Sequence, residues 1–240
     1  MSFDFPVIYR SNREAFTTLV LGLDGATLGS SVPATPLWTV KDAFAHVTGV
    51  ARDYTTGRLD DAPSESWTRQ QVEERKDRTV GDIAAEWTEL GPVIETMLQS
   101  SGRAMSAMVM DVVMHHCDVL GALGTRPPQD DEGVRLCLRA CNAIAPRLDA
   151  AGLPALRIQT EGFDRVLGTG SEGIMVRGDA FEVTRALFGR RSLEQIAAFD
   201  WSGDPTPYLP HFSFFTPRET CLLYTSDAAD EHRDVEIAGV

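Results

Sequence analysis

The sequence predicts an α+β protein, with an antiparallel four-helix bundle and an exit helix over residues 1–152 and a small α+β domain over 153–220. Three observations support this prediction. Capping boxes precede segments whose apolar residues recur every three or four positions, which indicates amphipathic helices. Short to moderate connections join these segments, as in antiparallel bundles. After Gly152 the apolar residues alternate with polar ones, which is typical of strands.

Four helices make up the predicted bundle, and three of them begin at a capping box. The boxes are residues 11–14, 39–42 and 79–82. The fourth helix is predicted from about Met105 to Ala122, with Gly124 ending it. Gly91 and Pro92 lie inside the third helix and predict a kink or a break there. A fifth helix, about residues 131–150, leads out of the bundle.

The second domain is predicted from alternation and turn residues. Leu156, Ile158 and Thr160 alternate with polar residues, and two further short strands follow. These strands are residues 163–168 and 173–176, with glycine-rich turns between them. Two helices complete the domain, one capped by Asp179 and the other by Ser192.

Composition narrows the class of function. The chain carries a net charge of −13, which argues against nucleic acid and anionic membranes as partners. No apolar run is long enough for a membrane span, and the N-terminus lacks the pattern of a secretory signal. We therefore expect a cytoplasmic protein that acts on small molecules. The four cysteines form no C-x-x-C pair, so buried free thiols are expected.

The candidate catalytic and metal-binding residues lie on the second and fourth predicted helices. His115 follows Asp111 by four residues, which places the two side chains about 40° apart on one helix face, a turn from each other. His46 flanks the apolar stripe of the second helix and can project into the bundle, where such folds build metal sites. Two imidazoles and one carboxylate form the ligand set of an open catalytic site. Zinc suits it, and iron, manganese and nickel stay open. Asp118 is expected to orient His115 from outside the ligand set.

Two sequence motifs then indicate a family. Residues 36–50, PLWTVKDAFAHVTGV, resemble the P-x-W-T-V-x-D-x-x-x-H signature of the mycothiol-dependent maleylpyruvate isomerase family, a DinB-like metal-binding bundle. Residues 111–124 resemble its second signature, an acid, three residues, His, two residues, Asp and a final Ala-Leu-Gly. Residues 178–204 are similar to its small α+β domain.

The resemblance implies that His46, Asp111 and His115 are zinc ligands and act in catalysis through the metal. It also implies mycothiol or a similar low-molecular-weight thiol as cofactor. The family usually has Glu at the position of Asp111, which is one methylene shorter. A shorter ligand requires a closer approach of the helices, or binding through water.

Other residues carry weaker predictions. Arg190 and Arg191 are assigned to cofactor binding, because guanidinium forks suit planar anions; a structural charge pair at a helix C-terminus is the alternative. Trp38 is expected to anchor the start of the second helix rather than to serve as a stacking surface.

The leading functional prediction is a metal-dependent transferase or isomerase that joins a small-molecule thiol to an electrophilic substrate. A metal-dependent hydrolase is one alternative, since water can take the open position. A metal- or ligand-binding module without turnover is the other. The sequence indicates no particular oligomeric state.

The last residues stand apart from the rest. Residues 221–231, CLLYTSDAADE, resemble the in-frame translation of a sequencing-library adapter over all eleven positions. We therefore expect residues 221–240 to be an adapter-derived or unstructured tail outside the fold.

Overall fold

The computed structural model describes residues 3–101, 104–128 and 131–215. The chain divides into two compact units, residues 1–126 and residues 127–240. The first is mainly helical and the second contains a four-stranded sheet. The predicted α+β class, a helical bundle followed by a small sheet domain, is confirmed. The expected tail at 221–240 lies outside the described residues.

The described residues of the first unit form six helices and a hairpin. They are α1 (Phe5–Leu21), α2 (Gly25–Leu28), β1 (Ser31–Val32), β2 (Thr35–Thr39), α3 (Val40–Thr56), α4 (Glu65–Glu73), α5 (Val80–Ser101) and α6 (Ser106–Ala122). In the bundle, α1 and α3 each pack against both α5 and α6. Helices α1 and α5 run antiparallel, since Arg10 pairs with Glu95 while Phe16, farther along α1, packs on Trp87.

An aromatic cluster forms the centre of the bundle core. Phe16, Phe44 and Trp87 make edge-to-face contacts with centroids 5.3 to 6.1 Å apart, and all three are fully buried. The indole N–H of Trp87 donates to the hydroxyl of Tyr9 at 2.8 Å, so the polar atoms of both rings are satisfied. Burial of each such ring contributes on the order of 1.5–3 kcal/mol, and the cluster therefore holds α1, α3 and α5 together.

The predicted start of the first helix is wrong. Helix α1 begins at Phe5 rather than at residue 11, because Asp4 caps it by accepting from the backbone N–H of Val7, and Pro6 occupies its first turn. Ser11 therefore lies inside the helix, where its hydroxyl donates to the carbonyl of Ile8. The capping boxes at 39–42 and 79–82 do begin α3 and α5.

Helix α5 continues through Gly91 and Pro92 as one element of 22 residues, so the predicted break is absent there. A side chain at Gly91 would lie 2.6 Å from Nε of Arg13, which is buried and pairs with Glu95. Because Gly91 has no side chain, the Arg13 guanidinium fits between α1 and α5.

Helix α4 was not predicted from the sequence. Ser64 caps it by accepting from the N–H of Trp67, and it packs on α3. A Cβ at Gly49 of α3 would lie only 2.5 Å from Cβ of Gln71. The two helices therefore approach closely at Gly49, and Gln71 is fully buried between them.

The second unit contains further helices and the sheet. These elements are α7 (Glu132–Leu138), a 3₁₀ helix (Arg139–Ile144), α8 (Ala145–Ala150), β3 (Ala155–Thr160), β4 (Phe163–Leu167), β5 (Glu172–Arg177), α9 (Ala180–Leu187), α10 (Leu193–Ala197), β6 (Asp200–Trp201) and α11 (Leu209–Phe212). The strand order is β4-β3-β5-β6, with β3 and β5 parallel and the other pairs antiparallel. The three strands and two helices predicted from the sequence are present, with Asp179 and Ser192 as caps.

The division of the chain differs from the boundary expected after residue 152. Helix α7 packs against α9, and the 3₁₀ helix contacts β4. Leu138, Ile144 and Leu148 are fully buried. The segment predicted as an exit helix of the bundle is therefore part of the unit that contains the sheet.

Two further findings concern the described residues. None of their helices combines the length and the apolar character that crossing a membrane requires. Among these residues, Cys117, Cys137 and Cys141 are reduced cysteines with buried side chains, as expected. Burial raises the pKa of the Cys141 thiol to about 12, so this thiol stays protonated at neutral pH. Cys221 lies outside the described residues.

Candidate metal centre

Three side chains from two helices converge at one point in the first unit. His46 lies on α3, and Asp111 and His115 lie one turn apart on α6. Nε2 of His46 is 3.2 Å from one carboxylate oxygen of Asp111, and Nε2 of His115 is 3.4 Å from the other. One ligand atom from each residue lies within 4.8 Å of the other two.

These distances fit a shared cation. Ligand atoms at about 2.0–2.1 Å from a tetrahedral zinc ion are about 3.3 Å from each other. Oδ2 of Asp111 is buried and has no hydrogen-bond partner of acceptable geometry among the described residues, although Nε2 of His46 is near. A buried carboxylate oxygen that faces an imidazole nitrogen without a hydrogen bond is the arrangement that an ion between them would satisfy.

The electrostatics keep Asp111 ionised. Burial by itself would raise the pKa of its carboxyl, but the positive charge and the N–H groups of the imidazolium forms of His46 and His115 more than offset burial and hold that pKa well below its usual range. Asp111 is therefore a carboxylate at neutral pH, the form that binds a metal. Burial, and then the charge of Asp111, raises the pKa of the Tyr54 phenol, which stays neutral.

Gln71 of α4 orients the first imidazole, and sequence reasoning missed it. Its side-chain N–H donates to Asp53 at 2.8 Å, and its amide oxygen lies 2.7 Å from Nδ1 of His46. Because Asp53 as a carboxylate can only accept, the amide oxygen of Gln71 faces Nδ1, and Nδ1 carries the proton. In the neutral ring Nε2 then has a free lone pair that faces Asp111. Gln71 and Asp53 are almost completely buried, so this orientation is fixed.

Trp38 covers the two imidazoles. Its ring centroid lies 4.8 Å from that of His46 and 5.4 Å from that of His115. Trp38 was expected to anchor the start of α3 and not to serve as a stacking surface, and its ring is tilted by 41–43° to the imidazoles rather than stacked on them. Because β2 ends directly before α3, the indole also lies over the cluster, which the sequence did not indicate. An apolar ring at this position lowers the local dielectric and limits access of water.

The neighbouring acid and histidine on α6 have separate positions. Oδ2 of Asp118 lies 3.5 Å from Nδ1 of His115, beyond a short hydrogen bond, so its orienting role stays a prediction. His116 faces α1 instead, where its Nδ1 is 3.1 Å from Oδ1 of Asn12 and its ring stacks on Phe16. Burial lowers the pKa of His116 to about 4, so this ring is neutral and part of the core.

The two arginines assigned to cofactor binding lie in the second unit. Arg191 is buried and donates to Glu182 of α9 at 2.7 Å, and also to the carbonyl of Arg190. The guanidinium of Arg190 donates to the carbonyl of Phe188. These bonds are what a structural charge pair requires, and the cofactor-binding role of both residues stays a prediction.

Comparisons with known proteins identify solved structures with a similar fold. No sequence-family model matches the chain, and no curated protein matches it. A crystal structure of the mycothiol-dependent maleylpyruvate isomerase superposes with a TM-score of 0.56 and 14% identity over 82% of this chain and 91% of that one. A histidine-to-alanine mutant of a mycothiol-dependent maleylpyruvate isomerase gives 0.53 and 12% identity over 77% and 88%. The chain therefore shares the fold of the mycothiol-dependent maleylpyruvate isomerase.

Proposed function

We propose that this chain is a metal-dependent transferase or isomerase that uses a low-molecular-weight thiol of the mycothiol type and acts in the cytoplasm on a small electrophilic substrate. The proposal rests on one observation. One ligand atom from each of His46, Asp111 and His115 lies within 4.8 Å of the other two. The fold of a mycothiol-dependent isomerase supports the thiol as cofactor. Zinc is the proposed ion, because two imidazole nitrogens and one carboxylate oxygen suit it.

Several side chains around this site would favour the binding of a metal ion and a thiolate. When bound, zinc would offer an open position that favours the thiolate over the thiol, and the thiolate is the nucleophile. Gln71 holds the proton of His46 on Nδ1, and so keeps Nε2 available as a ligand. Asp111 is ionised, and its charge offsets that of the ion. The ring of Trp38 excludes water from the side of the imidazoles.

The reaction follows from a thiolate held beside an electrophile. The sulfur would add to an electrophilic carbon, such as one end of a conjugated double bond. As the carbon–sulfur bond forms, the π electrons of the double bond would move onto the conjugated carbonyl as an enolate. A transferase would protonate this enolate and keep the carbon–sulfur bond. An isomerase would instead allow rotation about the former double bond, re-form that bond from the enolate and expel the thiolate. Arg190 and Arg191 stay candidates for binding an anionic group of the cofactor.

The experiment compares metal content and turnover in matched variants. Purified chain is analysed for bound metal and then incubated with mycothiol or a substitute thiol and a panel of electrophiles, including maleylpyruvate. We expect about one equivalent of zinc and thiol-dependent product in the original chain, and the loss of both in His46→Ala. His116→Gln, on the same helix as His115 but outside the cluster, is the control and should retain zinc.

Three outcomes would contradict the proposal. Less than about 0.2 equivalents of divalent metal in untreated protein would contradict the metal site, since three converging ligands should retain zinc. Product formed without thiol would favour the hydrolase. Tight binding of thiol and metal without product over hours would favour a binding module.

A further inference from the structure

A second group of charged side chains lies on the outer side of the bundle, where α3, α4 and α5 meet. We call it the arginine cleft. It borders an open pocket of about 360 Å³ lined by Arg52, Thr56, Arg58, Glu74, Arg75, Arg78 and Glu86. None of these residues is a proposed metal ligand.

Three of the arginines converge on one carboxylate. Glu86 is buried, with a side chain only 5% exposed. Arg75 donates two hydrogen bonds to it, at 2.7 and 3.1 Å, and Arg52 donates one at 3.0 Å. Arg78 also forms an ion pair with it. One negative charge therefore faces three guanidinium groups.

More arginines than glutamates line the cleft. Arg58 makes a two-bond pair with Glu74 and a further bond to Asp53. The four arginines that line the cleft outnumber the two glutamates that line it, Glu74 and Glu86. Two further carboxylates, Asp53 and Asp82, each lie near one of these arginines. This concentration of arginines stands in a chain whose net charge is −13. Guanidinium groups that share one carboxylate repel each other, and an added anion would relieve that repulsion.

Donors are available for such an anion. In the described part of the chain, Arg52 makes one side-chain hydrogen bond, through Nε, so its two Nη groups have no protein acceptor. The side chains of Arg52, Arg58 and Arg78 are 38 to 44% exposed and line the pocket, whereas Arg75 behind them is buried and fixed. Arginine presents paired donors that match the oxygens of carboxylate and phosphate groups.

We propose that the arginine cleft binds a small molecule that carries a carboxylate or phosphate group. The cleft contains none of the proposed metal ligands, and the proposal does not depend on the function proposed for them. The two sites adjoin at Asp53, which pairs with Arg58 and also accepts from Gln71. The ordinary alternative is an ion-pair network that only holds α3, α4 and α5 together.

Calorimetric titration of the full chain separates these two readings. The protein is stripped of metal with a chelator and dialysed, so that neither probe can bind through zinc. It is then titrated with inorganic phosphate in one arm and malonate in the other, at constant ionic strength set with sodium chloride. We expect saturable binding of one equivalent in at least one arm. The arm that binds identifies the anion, and binding in both indicates a site for either.

Matched variants locate the binding. Arg52→Gln should weaken it at least tenfold, because it removes the donors that face the pocket. Arg69→Gln is the control, since Arg69 lies on α4, is 73% exposed and pairs with Glu65 outside the cleft. Both variants remove one positive charge from an exposed position, and thermal unfolding checks that both fold. Absence of saturable binding in both arms, or equal weakening by the two variants, would overturn the proposal.

Discussion

Asp111 stands where the resembled family usually has glutamate, so its shorter side chain must still reach the other two proposed ligands. Its two oxygens already lie 3.2 and 3.4 Å from the two imidazoles, so α3 and α6 are close enough for the shorter side chain. We therefore predict that Asp111→Glu weakens zinc binding about tenfold, because the added methylene pushes the carboxylate past the ion position.

Competition with a chromophoric chelator measures this change in zinc affinity. Asp77→Glu is the control, since it adds the same methylene at an exposed residue of the first unit. An affinity for zinc that is unchanged or higher in Asp111→Glu would mean that the helices adjust to the ligand, and that the present spacing does not select aspartate.

Gln71 would act on the proposed metal through His46, as a positioning residue. Gln71→Leu would remove the acceptor of His46 Nδ1 and the donor to Asp53, both within a buried site. We expect a 10- to 100-fold loss of zinc affinity, the usual effect of losing a partner of a ligating histidine. Stability should also fall by about 1–3 kcal/mol, because Asp53 loses a buried partner.

Asn12→Leu separates these two effects. Asn12 holds His116 as Gln71 holds His46, through a buried amide oxygen and Nδ1. The variant should lose a similar amount of stability in denaturant unfolding, yet bind zinc as the original chain does. If Gln71→Leu and Asn12→Leu changed zinc affinity equally, the effect of Gln71 would be one of general stability.

The proposed metal ligands could be predicted from the sequence, whereas the residue that positions one of them could not. His46, Asp111 and His115 were accessible because each lies on a helix whose periodicity indicates its face. Gln71 was not, because the polar segment around it lacks apolar periodicity and its partner comes from another helix. The only local signals were Ser64, a helix cap, and Gly49, a residue small enough to admit a neighbour.

At the scale of elements, local hydrogen bonds explain which predictions hold. The boxes before α3, α5 and α10 satisfy the first N–H groups of their helices, so sequence alone locates these starts. At α1 the same pattern misleads, since the cap at Asp4 and the proline after it lie upstream and begin the helix earlier. A capping pattern therefore predicts a helix more securely than it predicts the first residue.

The approach of α4 to α3 yields a prediction for the element itself. A methyl group at Gly49 would lie 2.5 Å from Cβ and 2.7 Å from Cγ of Gln71, so Gly49→Ala must push α4 outward. We expect a loss of about 1–3 kcal/mol in unfolding free energy, together with weaker zinc binding as Gln71 leaves His46. Urea unfolding and chelator competition measure the two effects.

Gly81→Ala is the matched control for this substitution. Gly81 also lies in a helix, but the nearest atom to its added Cβ is the Thr79 hydroxyl at 3.7 Å. The substitution should raise stability by about 0.5–1 kcal/mol, the usual gain of alanine over glycine in a helix, and leave zinc binding unchanged. A gain in stability at Gly49 as well would show that α4 is not held closely against α3.

At the scale of the whole molecule, periodicity could identify the segment around residues 131–150 as helical but not which core it joins. Its helices bury Leu138, Ile144 and Leu148 completely. The apolar face of a helix does not show which element it packs against. Because this segment follows the bundle helices directly in the sequence, the bundle was the expected partner. The contact of α7 with α9 assigns it to the sheet unit instead.

Two fragments test this assignment. Residues 127–215 should fold into a sheet domain with a cooperative thermal transition, whereas residues 153–215 should not, because without α7 and α8 the apolar face that they cover would be open to water. Since each fully buried aliphatic side chain contributes about 1.5–3 kcal/mol, the loss of Leu138, Ile144 and Leu148 is comparable to the whole stability of a small domain. Circular dichroism melting compares the two fragments directly. A cooperative transition in 153–215 would instead favour the boundary that the sequence predicted after residue 152, with residues 131–150 belonging to the bundle.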